Sequence, residues 1–153
     1  MDYTTTREIK ASVEQLQHLI GTTEGQKQWQ IWLADIQPLT GEPGATGATA
    51  RFIYEVKGKR TKLLETIQLN DLPNEYKAAY FGAEGTLTTH RYRLEAVSPT
   101  VTLCHLDTNI VSKRFGIKTL LWMMPKLFER QSEILLDQLQ EFAEKQPQSA
   151  LVQ

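Results

Sequence analysis

Residues 117–145 read IKTLLWMMPKLFERQSEILLDQLQEFAEK, and the reading of this stretch decides the fold. Ile117, Leu120, Leu121, Met124, Leu127, Phe128, Leu135, Leu139 and Phe142 recur at three- and four-residue steps, the spacing of one helix face. Lys126, Glu129, Arg130, Glu133, Asp137, Glu141 and Glu144 cover the rest of the surface. Pro125 has no amide hydrogen, so it either kinks this helix or marks its true first turn. No other segment of the chain is periodic over such a length.

Upstream, from Asp35 to Ile110, the pattern changes to short strand-like runs separated by turn residues. Strands are predicted near 35–41, 48–57, 60–70, 75–83, 86–96 and 100–110, with turns at Gly41–Gly47, Gly58, Pro73, Gly82–Gly85 and Pro99. Connections this short make an antiparallel meander, because parallel crossovers need a dozen or more residues. Alternation selects an inner face. Phe52, Tyr54 and Val56 oppose Arg51, Glu55 and Lys57, while Thr88, His90, Tyr92 and Leu94 oppose Arg91, Arg93 and Glu95. Tyr76, Ala78 and Tyr80 make a third inward set, and Cys104, Leu106 and Ile110 are assigned inward on a strand whose two faces are both mixed.

The chain opens differently. Tyr3–Lys10 is Thr-rich and strand-like. Ser12 and Gln15 have the spacing of a capping box for a helix that carries Val13, Leu16, Leu19 and Ile20 and stops at Gly21. A second short helix is predicted to include Lys27–Leu33, with Trp29, Trp32 and Leu33 on one face. An apolar sheet face must be buried on something, and only the C-terminal helix is long enough to serve. The expected fold is therefore α+β: a curved antiparallel sheet of about seven strands around a long C-terminal helix, with two short helices after strand one. Residues 1–146 are expected to form this domain, with 147–153 a disordered tail.

Composition excludes several classes of function. Of the 153 residues, 41% are hydrophobic and 23% charged, enough for a core and an ordinary surface. A formal net charge of -1, with the densest basic stretch at Lys57–Lys62 around a glycine, argues against nucleic acid as a partner. The run Ile117–Met124 is too short to span a bilayer. A single cysteine and an N-terminus without the apolar core of a signal peptide suggest a cytoplasmic protein.

Several stretches resemble bacterial members of the START-like (SRPBCC) superfamily. IKASVEQ at 9–15 is similar to their passage from first strand to first helix. Trp29 and Trp32 sit where such proteins often close the second helix, and ETIQLNDLP at 65–73 resembles a strand ending in a proline turn. FERQ at 128–131 and LQEFAE at 139–144 resemble the closing helix. The resemblance covers roughly residues 4–145 and implies a helix-grip fold of the polyketide cyclase/dehydrase-like kind, usually built around a cavity. At this length the chain is too short for a full lipid-transfer START domain. Members of the superfamily bind sterols, lipids, quinones or hormones, cyclise polyketides, or act on a chaperone, so fold alone does not fix function.

The expected site combines residues and resemblance. Trp32, Phe52, Tyr54, Tyr76, Tyr80, His90, Tyr92, Leu106, Leu120, Met124 and Phe128 are the candidate ligand-binding residues: aromatic or apolar walls with a few polar tips. His90 is the one candidate catalytic residue, a potential base beside Thr88 and Tyr92; the alternative is a histidine satisfied within the core. His105 and Asp107 read as an exposed polar stripe, His18 as solvent-exposed and Cys104 as a small buried hydrophobe. No His/Cys/Asp/Glu set has metal-ligand spacing and no cofactor motif is present, so neither a metal nor a cofactor is expected. The Gly41–Gly47 loop, with the start of the long helix, is the expected cavity mouth. Three functions remain open: a binder of a hydrophobic or amphipathic small molecule (favoured, as a monomer or homodimer), a cyclase- or hydratase-type enzyme using His90 with Tyr54 or Tyr92, and a protein-interaction module docking through its strand edges or Trp122–Met124.

Overall fold

A computed structural model describes residues 1–82 and 84–146; the tail expected over 147–153 lies outside the described residues. In chain order the elements are β1 (Asp2–Ile9), α1 (Val13–Gly21), α2 (Thr23–Trp29), β2 (Leu33–Thr40), β3 (Thr49–Val56), β4 (Lys59–Asp71), β5 (Glu75–Gly82), β6 (Thr86–Ser98), β7 (Val101–Ser112), α3 (Phe115–Met123) and α4 (Pro125–Lys145). The strands form one seven-stranded sheet in the order β1-β7-β6-β5-β4-β3-β2, antiparallel at every pairing. Register shifts in the β2–β3, β4–β5 and β6–β7 ladders are irregularities of the kind that bend strands and let a sheet curl. The fold is the expected α+β helix grip.

Two helices differ from expectation. The second short helix spans Thr23–Trp29, so Trp32 and Leu33 lie beyond it, Leu33 as the first residue of β2. Thr22 sets the helix start, because its hydroxyl accepts the Gly25 amide at 2.9 Å. The long helix is two. Met124 leaves helical geometry at φ -131 and ψ 59, and Pro125 opens α4 at a first-turn position where its missing amide hydrogen does no harm.

That break redirects the apolar periodicity. The buried face of α4 is Ser132, Leu136, Leu139 and Ala143, whereas α3 buries no residue. Leu120, Met124 and Leu127, expected to grip the sheet, are 40–50% exposed. The second half of α4 is the anchored part. Gln15 donates from Nε2 to the Ala143 carbonyl at 2.8 Å, Arg7 pairs with Asp137, and the Lys10 amide donates to Glu144 at 3.0 Å. Gln15 thus ties α1 to α4 and does not close the capping box, although Ser12 does accept the Gln15 amide at 3.1 Å.

Strand β7 alternates cleanly, with Thr102, Cys104, Leu106, Thr108, Ile110 and Ser112 all buried. Its polar inward residues are satisfied: Thr102 donates to the Ala11 carbonyl at 2.8 Å, and Thr108 lies 2.9 Å from the Ser132 hydroxyl. Hydroxyls on the inner face are what make both faces of this strand look mixed in sequence. His105 and Asp107 occupy its other face. His105 lies against Thr6 at 3.1 Å, and Asp107 accepts from Thr4 at 2.7 Å and from Arg93 at 3.3 Å. His18 is half-buried, not freely exposed, and Cys104 sits in the core with its thiol pushed up to about 12 by burial.

Candidate functional site

Between the sheet and α4 lie two spaces with shared walls. The inner recess, about 200 Å³, is bounded by Ile20, Gln26, Trp29, Tyr80 and Tyr92. The outer space, about 690 Å³, is bounded by Tyr3, Trp32, Val56, Thr61, Glu84, Ile110, Ser132, Ile134 and Gln138 among others. Gln30, Tyr54, Leu63, Thr88, His90, Gln131 and Leu135 line both, so the two are one chamber with a deep end. The outer volume alone is in the range of small-molecule sites.

Register places the opening. Leu63 pairs with Gly82, and Phe81 with Leu87, which in turn faces Val111; the β3–β4 tip, the β5–β6 turn and the end of β7 therefore share one end of the sheet. Trp32, Val56 and Glu84 bring the outer space to that end. The Gly41–Gly47 loop joins β2 to β3 at the opposite end, so it is not beside this opening. Val56 belongs to the inward set but is 41% exposed because it stands at the rim.

The deep end is a hydrogen-bonded polar set inside an apolar shell. The Tyr54 hydroxyl donates to Gln30 Oε1 at 2.8 Å, Gln30 Nε2 donates to Gln26 Oε1 at 3.3 Å, and Gln26 Nε2 donates to the Ile20 carbonyl at 2.8 Å. Trp29 donates from Nε1 to the Leu19 carbonyl at 2.7 Å, which fixes its ring as floor. The Tyr80 hydroxyl donates to Glu65 Oε2 at 2.7 Å. Glu65 is 3% exposed, and burial pushes its carboxyl up to about 7 against the smaller opposing effect of that hydrogen bond. A void of about 10 Å³ beside Glu65 has room for roughly one water.

Burial also raises the hydroxyls of Tyr54, Tyr80 and Tyr92, which stay protonated and act as donors at any ordinary pH. His90 is shifted the other way, down to about 4 by desolvation, so its imidazole is neutral. Its Nδ1 lies 3.2 Å from Thr108 Oγ1, and no described residue hydrogen-bonds its Nε2. Its ring meets Tyr80 edge-on with centroids 5.6 Å apart and lies 6.3 Å from Tyr92. The chamber therefore offers neutral donors and one neutral imidazole and, among the described residues, no fixed cation along its deep wall.

The structure divides the expected site residues into three groups. Trp32, Tyr54, Tyr80, His90 and Tyr92 line the chamber. Phe52, Tyr76 and Leu106 are at most 1% exposed and stand behind it as core, Phe52 edge-on to Tyr80 at 5.5 Å. Leu120, Met124 and Phe128 line neither space: the break at Met124 turns Leu120 away with α3, and Phe128, in the first turn of α4, is half-buried where its carbonyl accepts from the Tyr3 hydroxyl at 2.6 Å. Several residues went unrecognised as site residues: Gln30 and Gln131 at the junction, Leu63 and Leu135 on its walls, and Glu65 behind Tyr80. The alternation Leu63, Glu65, Ile67 was the available signal for a carboxyl on the inner face.

Among the described residues no group of three or more His, Cys, Asp or Glu is placed to hold a metal ion, and no helix is long and apolar enough to cross a membrane. No family model matches the chain, and no curated protein matches it in sequence. Solved structures do match in shape. A START superfamily protein from Mycobacterium smegmatis superposes with TM-score 0.76 at 20% identity, over 94% of this chain and 97% of that one. The Zhui aromatase/cyclase from Streptomyces sp. R1128 gives 0.76 at 13% identity, over 95% and 94%. Ara h 8.0201 gives 0.73 at 14% identity, over 95% and 100%. At such identities the likeness speaks for architecture alone, and the chain shares the helix-grip fold of these structures.

Proposed function

We propose that the protein holds an apolar or amphipathic small molecule of lipid, quinone or polyketide-like chemistry in the chamber between the sheet and α4. The observation that carries this reading is the continuity of the outer space with a recess whose polar atoms are neutral donors and acceptors. Such walls favour a ligand with an apolar body and one or two carbonyl or hydroxyl groups at its deep end. A fully ionised ligand would face an uncompensated charge there. Native mass spectrometry of the freshly purified protein, followed by solvent extraction, tests it. A bound apolar metabolite is expected; failure to take up any quinone, fatty acid or aromatic polyketide offered in excess would contradict it.

A second reading has one observation in its favour: His90, Tyr54, Tyr80 and Tyr92 line the same recess. In a cyclase- or hydratase-type reaction a tyrosine hydroxyl would donate to a carbonyl oxygen while His90 takes a proton from the adjacent carbon. The depressed basicity of His90 works against this role unless substrate binding raises it. A His90→Gln variant that binds ligand normally but loses turnover would support the enzyme; unchanged turnover would remove it.

A further inference from the structure

Residues 113–128 read KRFGIKTLLWMMPKLF: four basic residues, no acidic one, in a chain whose net charge is -1. The stretch covers α3 and the first turn of α4. Phe115 is 83% exposed, Trp122 82% and Met123 65%, and α3 buries nothing. Its one hydroxyl, on Thr119, is turned onto its own helix and donates to the Phe115 carbonyl at 2.9 Å. Between its basic residues the exposed ridge thus presents apolar side chains and the Trp122 indole, an apolar body with one N–H that suits a headgroup boundary. Contiguous apolar surface of this kind marks an interaction site.

We propose that α3 and the start of α4 dock on an anionic lipid bilayer. The composition selects this partner: aromatic and flexible apolar side chains at the centre, with Lys113, Arg114, Lys118 and Lys126 around them, suit the boundary between headgroups and acyl chains. Location agrees. The Lys113 amide hydrogen-bonds the Gly85 carbonyl at 3.4 Å, which holds the start of α3 at the end of the sheet where the chamber opens. At that same end the β3–β4 tip exposes Lys57, Lys59 and Lys62, none in an ion pair among the described residues. The acidic groups nearby include Glu55, which faces Arg60 at 4.0 Å, Glu84, and Glu129, one turn along α4 from Lys126. Docking in this orientation would turn the chamber mouth towards the bilayer, and it stands whether or not the resident ligand is a lipid.

Vesicle co-sedimentation of the whole chain tests the proposal, comparing phosphatidylcholine alone with phosphatidylcholine plus phosphatidylserine. Binding is expected on the anionic vesicles, weakening as salt is raised, and falling roughly fivefold for each lysine of Lys113, Lys118 and Lys126 changed to Gln. Trp122→Ser, at a site too exposed to support the core, should reduce binding while leaving thermal unfolding unchanged. Equal partitioning of the wild type and Trp122→Ser, or no partitioning onto anionic vesicles, overturns the proposal. So does a dimer in analytical ultracentrifugation that Trp122→Ser abolishes without any vesicle binding, because the ridge would then be a contact between copies of the chain.

Discussion

The Tyr80 hydroxyl donates a 2.7 Å hydrogen bond to Glu65, joining a tyrosine of the chamber wall to a carboxyl buried behind it. The two residues face each other across the β4–β5 ladder, so the pair is built into the sheet. One hydrogen bond does not replace the water a carboxylate loses, and the Glu65 carboxyl is accordingly raised from 4.5 to about 7.

A pH dependence follows from Glu65. Below about 4.5 the carboxyl is protonated in both folded and unfolded chains. As pH rises towards 7 the unfolded chain ionises while the native state still holds the proton, so stability falls, by roughly 3 kcal/mol in all. Glu65→Gln should remove this loss, which urea unfolding measured from pH 4 to 8 would reveal. An unchanged slope would mean that the carboxyl is solvated.

His90 acts with the opposite sign. Its basicity is lowered from 6.5 to about 4, so stability is full above 6.5 and is lost as pH falls towards 4. Between about 4.5 and 6.5 the two groups oppose each other, and the wild type should show a shallow profile there. His90→Gln should leave stability falling with pH in this window, and Glu65→Gln should leave it rising. Identical profiles for both variants would exclude the assignment.

Gly25 holds the floor of the chamber in place. A Cβ at this position would lie 2.1 Å from the His18 carbonyl oxygen, so α2 approaches α1 closely only because residue 25 has no side chain. Gly25→Ala should destabilise by about 2 kcal/mol or more and displace Gln26, Trp29 and Gln30 together. Loss of Trp29 fluorescence burial in a still-folded variant is the expected signature. A wild-type Tm would contradict it.

The anchoring of α4 predicts a sharp contrast along one helix. Leu136 is fully buried and Leu127 is 48% exposed. Leu136→Ala should cost about 2–5 kcal/mol, and Leu127→Ala under about 1 kcal/mol. Thermal unfolding of the two variants separates them, and comparable losses would mean that the first turn of α4 also packs into the core.

Much of the fold was legible because the sheet obeys period two. The inward assignments of Phe52, Tyr54, His90 and Tyr92 needed only alternation, and the strand, helix, helix, strands, helix order needed only turn residues. The C-terminal region was less readable. Its apolar period runs through Pro125 almost unbroken, so sequence cannot distinguish a residue that faces the sheet from one on the exposed ridge of α3. Leu120 and Met124 fell on the wrong side of that break. Polar positions hid the rest: Gln30, Gln131 and Glu65 look like surface residues until their hydrogen-bond partners are known.

Titration with N-phenyl-1-naphthylamine, an uncharged apolar fluorophore, tests the chamber most directly, provided that the α3 ridge is first silenced by Trp122→Ser. Saturable one-to-one binding by Trp122→Ser is expected, abolished when Thr88→Trp is added to fill the space that Thr88 lines at both depths. Equal binding by a folded double variant would place the probe elsewhere and contradict a ligand chamber between the sheet and α4.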